Sequence, residues 1–205
     1  IVNRVDYYAI ANRNGRWSDN KDFCYIEHNL FELYGKRFGI VGLGNTGMAT
    51  AKIALSFGME VVAFTSKNED ELPHGIHRVM LDELFSTSDI ISLHCPLTET
   101  TKSMVNSARL KQMKSSAILI NTGRGPLVDE QELSEALNSG QIAAYGADVL
   151  SVEPAEIGNP LLKAKNCFLT PHIAWATREA RQRLISICIE NIKAFISGTA
   201  INQVN

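Results

Sequence analysis

Three side chains in the second half of the chain have the types needed to move a proton beside a bound carboxylate. Arg124 follows an apolar run, Glu153 precedes a proline, and His172 follows one. A guanidinium binds a carboxylate through two parallel hydrogen bonds, an imidazole exchanges a proton near neutral pH, and a carboxylate orients and stabilises the charged imidazole. Each residue alone is typical of a turn or a solvated position, so it is the combination that indicates catalysis.

A glycine-rich loop supplies a second chemical signal, because residues 42–47 read Gly-Leu-Gly-Asn-Thr-Gly, the GxGxxG spacing of dinucleotide sites. In that motif Gly42 allows a tight turn, Gly44 lets the backbone approach a pyrophosphate, and Gly47 lets helix and strand pack closely. An apolar run precedes the loop and a helical pattern follows it, which is the required context. The alternative interpretation is a plain glycine turn between a strand and a helix.

The residues after the next apolar run bear on which dinucleotide binds. NAD-binding sites place Asp or Glu there to accept a hydrogen bond from the ribose 2′-hydroxyl. In this chain Thr65 occupies that position, followed by Ser66 and Lys67. Two hydroxyls and a cation suit a 2′-phosphate, so the sequence favours NADP(H), used at least as well as NAD(H). The alternative is that Lys67 is a solvated loop residue in an NAD enzyme that has lost selectivity.

Alternating strand and helix patterns predict an α/β fold, a doubly wound parallel sheet of the Rossmann type. Predicted strands are Arg37–Val41, Glu60–Thr65, Asp89–His94, Ala117–Asn121, Ala143–Asp148 and Cys167–Leu169. Predicted helices are Asn45–Phe57, Leu81–Ser86, Ser107–Lys114, a helix from the Asp129 cap to Ser139, and Thr177–Ser197. Because the carboxyl ends of parallel strands gather at one edge, we expect Arg124, Glu153 and His172 to converge there.

The composition excludes several classes of protein. The 205 residues are 45% hydrophobic and carry a formal net charge of −2, which offers no basic field for nucleic acid. No apolar run reaches the roughly 18 residues of a membrane span, so no membrane partner is expected. Four cysteines without a CxxC pair argue against a disulfide scaffold or a metal site and favour a cytoplasmic location. Residue 1 is Ile, which indicates a cleaved or partial chain.

Five motifs follow one another along nearly the whole chain. They are Gly35–Gly44, Leu93–Thr98, Ile120–Gly125, Asp148–Pro154 and Thr170–Ala174. In this order they resemble the motif series of the D-isomer-specific 2-hydroxyacid dehydrogenases, and the glycerate dehydrogenase/hydroxypyruvate reductase branch is nearest. Five motifs in sequence are far more specific than GxGxxG alone.

The resemblance implies an oxidoreductase that transfers a hydride between a nicotinamide cofactor and a small D-2-hydroxy acid or 2-keto acid, such as hydroxypyruvate or glyoxylate. It implies that Arg124 binds the carboxylate and carbonyl region, that His172 protonates the carbonyl oxygen, and that Glu153 holds His172. The implied cofactor contacts are Asn45 and Thr46 at the pyrophosphate, Thr65, Ser66 and Lys67 at the adenosine ribose, Asp148 at the nicotinamide carboxamide, and Cys95, Pro96 and Thr122 at the far side. Thr101, Gly123 and Ala174 are further expected cofactor contacts, and so are the catalytic candidates Arg124 and His172.

The resemblance also implies three segments. Residues 1–34 are expected to form the tail of an inter-domain helix, over residues 1–8, and a dimerisation arm, over residues 9–34. Residues 35–175 are expected to form the dinucleotide-binding domain. Residues 176–205 are expected to be the C-terminal helix of a substrate domain that is otherwise mostly absent, so the isolated chain should bind cofactor without turnover. We expect a homodimer in which Trp17 reaches toward the partner. The alternative function is a non-catalytic, dinucleotide-gated interaction protein resembling a corepressor.

Overall fold

The structure is a computed structural model that describes residues 1–204. Seven parallel strands form one sheet in the order β3-β2-β1-β4-β5-β6-β7. They are β1 (Arg37–Val41), β2 (Glu60–Phe64), β3 (Ile76–Arg78), β4 (Ile90–Leu93), β5 (Ile118–Asn121), β6 (Ala144–Ala147) and β7 (Cys167–Leu169). The strand order reverses between β1 and β4, which is the position where open α/β sheets bind ligands. The predicted Rossmann-type α/β fold is confirmed.

Helices cover both faces of this sheet. The helices of the described chain are α1 (Val5–Arg13), α2 (Asn45–Ser56), α3 (Leu81–Thr87), α4 (Ser107–Leu110), α5 (Glu130–Ser139) and, in the second unit described below, α6 (Arg178–Ile196). On one face Ala51 and Ala54 of α2 share a buried cluster with Ile40 of β1, and on the other Leu84 of α3 and Leu133 of α5 belong to a second buried cluster. Because both faces are covered, the strands are continuous apolar runs, which explains why they were detectable in the sequence.

Strand β3 was not predicted, because it is only three residues long and only Ile76 is buried. Such a segment has neither the length nor the alternation of a typical strand. Its pairing partner is β2, with Arg78 in register opposite Ala63.

Among the predicted helices, α4 is the one that differs by more than a residue at an end. Helix α4 ends at Leu110 rather than Lys114, and the chain continues in tighter turns, with hydrogen bonds from the amides of Gln112 and Met113 to carbonyls three residues earlier. Helix α1 runs to Arg13, so it extends into the region expected to be an arm. Its aromatic residues show no apolar periodicity of their own, which hid the helix.

The chain divides into two compact units, Ile1–Leu169 with the sheet and a second unit that begins at Thr170. In the second unit the hydroxyl of Thr177 accepts a hydrogen bond from the amide of Ala180 and caps α6. This helix has no buried residue, and its large apolar side chains are exposed, among them Leu184, Ile185, Ile189, Ile192 and Phe195. No helix within residues 1–204 is long and apolar enough to span a bilayer.

Asp89 joins three segments at the amino edge of the sheet. Its carboxylate accepts a hydrogen bond from the backbone amide of Arg37 and another from the Nζ of Lys114, each at 2.8 Å. Burial by itself raises the pKa of Asp89, but the hydrogen bonds from Lys114 and Arg37 outweigh it, so the pKa lies below its ordinary value.

Replacing Asp89 with Asn should lower the free energy of unfolding at neutral pH by about 1–3 kcal/mol, because hydrogen bonds to a charged group are lost. Since the folded-state pKa of Asp89 is lowered, this stabilisation is present above the ordinary pKa of Asp and disappears as the pH falls through the folded-state value. Urea unfolding of both proteins at neutral and acidic pH measures the difference. The exposed Asp70→Asn is the matched control, and a difference that stays constant into acid would contradict the assignment.

Candidate functional site

A cavity of about 580 Å³ lies at the carboxyl edge of the sheet, around the ends of β1, β2 and β4. It is lined by residues 41–44, by residues 64–67, by Arg78, by residues 94–96, and by Thr101 and Met104. The predicted cofactor-binding residues among them are Gly42, Gly44, Thr65, Ser66, Lys67, Cys95, Pro96 and Thr101. The cavity therefore joins the glycine loop to the residues predicted at the adenosine ribose.

The turn at Gly42 brings the end of β1 against the end of β4. Its φ is +93°, and a Cβ added there would lie 2.7 Å from the backbone nitrogen of Cys95. A side chain at this position would meet both a strained backbone and a steric clash. Only glycine therefore permits this turn to pack so closely.

The start of α2 fits the pyrophosphate of a dinucleotide. Gly44 is the N-cap, has no side chain to cap the helix, and borders open space where a Cβ would lie. Asn45, Thr46 and Gly47 form the first turn, and amides in a first turn lack intrahelical acceptors and carry partial positive charge. This combination of free donors, positive dipole and open space is what an anionic phosphate requires.

The charge of the cavity comes from two cations. No acidic side chain of the described chain lines it, and within residues 1–204 neither Lys67 nor Arg78 forms a salt bridge. Burial lowers the pKa of His94, whose Nε2 lies 2.9 Å from the Oγ of Ser92. Burial also raises the pKa of the Cys95 thiol. Both groups are therefore neutral near neutral pH, and the cavity is electropositive.

The loop after β5 carries Thr122, Gly123 and Arg124 and is fixed by the last residue of that strand. Asn121 is fully buried; its side-chain amide donates to the carbonyl of Arg124 at 2.9 Å, and its Oδ1 accepts from the amide of Gly123 at 3.0 Å. The Arg124 side chain is exposed, and its Nη1 donates to the carbonyl of Gly123 at 2.8 Å. Asn121 thus holds the backbone from which the guanidinium projects.

The loop after β6 is attached to the loop after β5. The amide of the buried Asp148 donates to the carbonyl of Asn121 at 3.1 Å. Gly125 lies so close to the carbonyl of Leu150 that a Cβ would overlap it. These contacts pack the two loops against each other.

Glu153 lies in the second of these loops. Its Oε1 accepts a hydrogen bond from the amide of Leu150 at 2.8 Å, and Glu130 of α5 accepts from the amide of Ser151 at 2.6 Å. Arg124 and Glu153 therefore project from two loops that pack against each other at the carboxyl ends of β5 and β6.

His172 and Ala174 belong to the second unit. His172 has a left-handed backbone with φ +54°, its amide donates to the carbonyl of Thr170 at 3.0 Å, and its carbonyl accepts from the Nε1 of Trp175 at 2.8 Å. Left-handed residues other than glycine concentrate at functional positions. The convergence of His172 with Arg124 and Glu153 stays a prediction from the sequence.

Sequence reasoning missed Arg78 and gave no role to Asn121. Arg78 had no detectable signal, because it becomes a cavity residue only through the pairing of β3 with β2. Asn121 did have one: an Asn whose side chain accepts from the amide two residues later is a frequent turn former. Within residues 1–204, no group of three or more His, Cys, Asp or Glu side chains is placed to hold a metal ion.

Replacing Asn121 with Ala should lower the free energy of unfolding by about 1–3 kcal/mol, because the amide of Gly123 and the carbonyl of Arg124 lose their partner. Urea unfolding measures this change. The exposed Asn14→Ala should cost less than about 0.5 kcal/mol. An Asn121→Ala protein as stable as the unsubstituted chain would show that these hydrogen bonds do not hold the loop.

Comparison with known proteins identifies related sequences. The family described as "D-isomer specific 2-hydroxyacid dehydrogenase, NAD binding domain" matches residues 1–174. A hydroxypyruvate reductase of Blautia hydrogenotrophica is 46% identical over 100% of this chain and 64% of its own length. A glycerate dehydrogenase of Methylorubrum extorquens is 43% identical over 96% of this chain and 62% of its own. The chain thus spans less than two thirds of the length of these relatives.

Solved structures are similar over nearly the whole chain. The TT0316 protein of Thermus thermophilus has a TM-score of 0.87 and 39% identity, covering 98% of this chain and 63% of its own. An acyclic imino acid reductase in complex with NADPH and D-Arg has a TM-score of 0.84 and 32% identity, covering 98% of this chain and 64% of its own.

Proposed function

This chain belongs to the D-isomer specific 2-hydroxyacid dehydrogenase family, and from that premise we propose that it is the dinucleotide-binding part of an oxidoreductase acting on small 2-keto and 2-hydroxy acids. The observation that carries the proposal is the electropositive cavity lined by the glycine loop up to Gly44, the N-cap of α2, and by the end of β2. The loop with Arg124 lies at the same edge of the sheet. A dinucleotide and a carboxylate substrate are the ligands that such an edge would bind.

Hydroxypyruvate or glyoxylate is the proposed substrate. The names of the two relatives, a hydroxypyruvate reductase and a glycerate dehydrogenase, support this choice. Both keto acids present a carboxylate beside a carbonyl, which matches the fork geometry of a single arginine. The product would be a D-2-hydroxy acid.

The roles proposed for the catalytic residues follow their chemistry. A bound reduced nicotinamide would supply the hydride. Arg124 would bind the substrate carboxylate and hold the carbonyl in a fixed orientation. His172, as the imidazolium, would donate its proton to the carbonyl oxygen, and Glu153 would favour the charged imidazolium.

For the cofactor we propose NADP(H), used at least as well as NAD(H). The family is described by an NAD-binding domain, but the cavity has Thr65, Ser66 and Lys67 where an acidic residue would accept from a ribose 2′-hydroxyl. One related reductase is described in complex with NADPH. The cytoplasmic location remains a prediction from cysteine usage.

A dehydrogenase role predicts that the protein, in its full encoded length, oxidises NADPH when hydroxypyruvate or glyoxylate is added. His172→Asn should lower kcat by roughly 10²–10⁴-fold, because a general acid is removed, and change the Kd for NADPH far less than kcat. Asn tolerates the left-handed backbone, so the loop should stay folded. Absorbance of the reduced nicotinamide measures turnover.

The exposed His74→Asn is the matched control for His172→Asn and should retain full activity. Wild-type affinity for NADPH combined with no reduction of any keto acid would contradict the dehydrogenase role and support the non-catalytic, corepressor-like alternative. Full turnover by His172→Asn would remove His172 from the mechanism.

We further propose that the chain forms a homodimer through the arm that follows α1. Glu27 accepts hydrogen bonds from Tyr7 and Arg16, which fix the arm against α1, yet Phe23 and Ile26 in the same arm remain 89% and 74% exposed. An ordered arm with exposed apolar side chains is typical of a protein interface.

Light scattering at micromolar concentration should give the mass of a dimer. Replacing both Phe23 and Ile26 with Ser should shift the mass to a monomer, whereas Phe195→Ser on α6 should not. A wild-type monomer at this concentration would contradict the proposed dimer.

A further inference from the structure

The parallel pairing of β3 with β2 brings a second cation to the cavity. Arg78 lies opposite Ala63 in the register, and the amide of Val79 donates to the carbonyl of Ala63 at 3.0 Å. Arg78 therefore stands at the carboxyl end of β3, beside the carboxyl end of β2 from which Thr65 follows. Both Arg78 and Lys67 line the cavity that the glycine loop also lines.

The backbone of Arg78 is held by a segment that returns from β2. Glu69 accepts a hydrogen bond from the Arg78 amide at 2.7 Å through Oε2, and its Oε1 lies 3.3 Å from the Nδ1 of His77. Asn68 and Glu71 form a capping box that fixes this segment. The Glu69 carboxylate is thus engaged by the backbone and by His77, and within residues 1–204 it forms no salt bridge with Arg78.

The available partners suit one kind of group. Thr65 and Ser66 offer hydroxyls, while Lys67 and Arg78 offer an ammonium and a planar guanidinium. NAD-binding sites bind the ribose 2′-hydroxyl through an acidic side chain, and no acidic side chain of the described chain lines the cavity. A phosphate monoester carries nearly two negative charges and three acceptor oxygens, so it uses both cations and both hydroxyls.

We propose that Arg78 is a specificity-determining residue for the ribose 2′-phosphate of NADP(H), and that it forms with Thr65, Ser66 and Lys67 a single phosphate site across two strands. This inference rests on the dinucleotide-binding function proposed above. Arg78 lies on β3, a strand that sequence patterns do not reveal, and from there it favours the phosphorylated cofactor. Lys67 supplies the other cation of the site.

Calorimetric binding to the full chain tests the proposal without turnover. The ligands are NADPH and NADH, and the matched pair 2′,5′-ADP and 5′-ADP. Arg78→Gln should raise the Kd for NADPH and for 2′,5′-ADP roughly tenfold or more, because charge-assisted hydrogen bonds are lost. The Kd for NADH should change less than twofold. Arg78→Lys should fall between, because it keeps the charge and loses the fork. Arg13→Gln removes an exposed arginine outside the cavity and should leave the affinities for all four ligands unchanged.

Each outcome bears on the proposal. If Arg78→Gln lowered the affinities for NADPH and NADH equally, the guanidinium would contact the adenine or its ribose rather than a phosphate. That result would overturn the proposal. Unchanged NADPH affinity in an Arg78→Gln protein that thermal unfolding shows to be folded would also overturn it and leave the dehydrogenase function standing. A wild-type chain that binds neither dinucleotide would remove the proposed function and this inference together.

Discussion

The site at the carboxyl edge depends on places where one backbone packs directly against another. Gly42 turns beside the backbone of Cys95 and joins the ends of β1 and β4, and Gly125 lies against the carbonyl of Leu150 and joins the loops after β5 and β6. A side chain at either glycine would force these segments apart. Because the strands are parallel and fixed in register, this close packing determines where the cavity opens and where Arg124 and Glu153 project.

Two regions of different chemistry lie along the carboxyl edge of the sheet. Around β2 and β3 the cavity has hydroxyls and the cations Lys67 and Arg78, whereas the loops after β5 and β6 carry Arg124 with the acids Asp148 and Glu153. The first composition suits phosphates and the second suits a carboxylate and proton transfer. The two chemically different regions thus lie on either side of the strand that leads into α2.

Much of this was available from the sequence, and what was missed has a physical reason. The buried strands are apolar runs, and Asp129 and Gly140 mark the two ends of α5 by capping. Arg78 could not be predicted as a cavity residue, because its position comes from a three-residue strand stabilised by pairing with β2. The convergence of His172 with Arg124 is likewise nonlocal, and it stays a prediction.

The central claim is that the glycine loop and the first turn of α2 bind the phosphates of a dinucleotide. The most direct measurement follows backbone amide resonances of the ¹⁵N-labelled chain by NMR while NADPH is added. The account predicts that the amides of Gly44 and Gly47 shift saturably, whereas those of Gly15 and Gly140, which lie outside the glycine loop and α2, do not. Saturable NADPH binding that leaves Gly44 and Gly47 unshifted would contradict it.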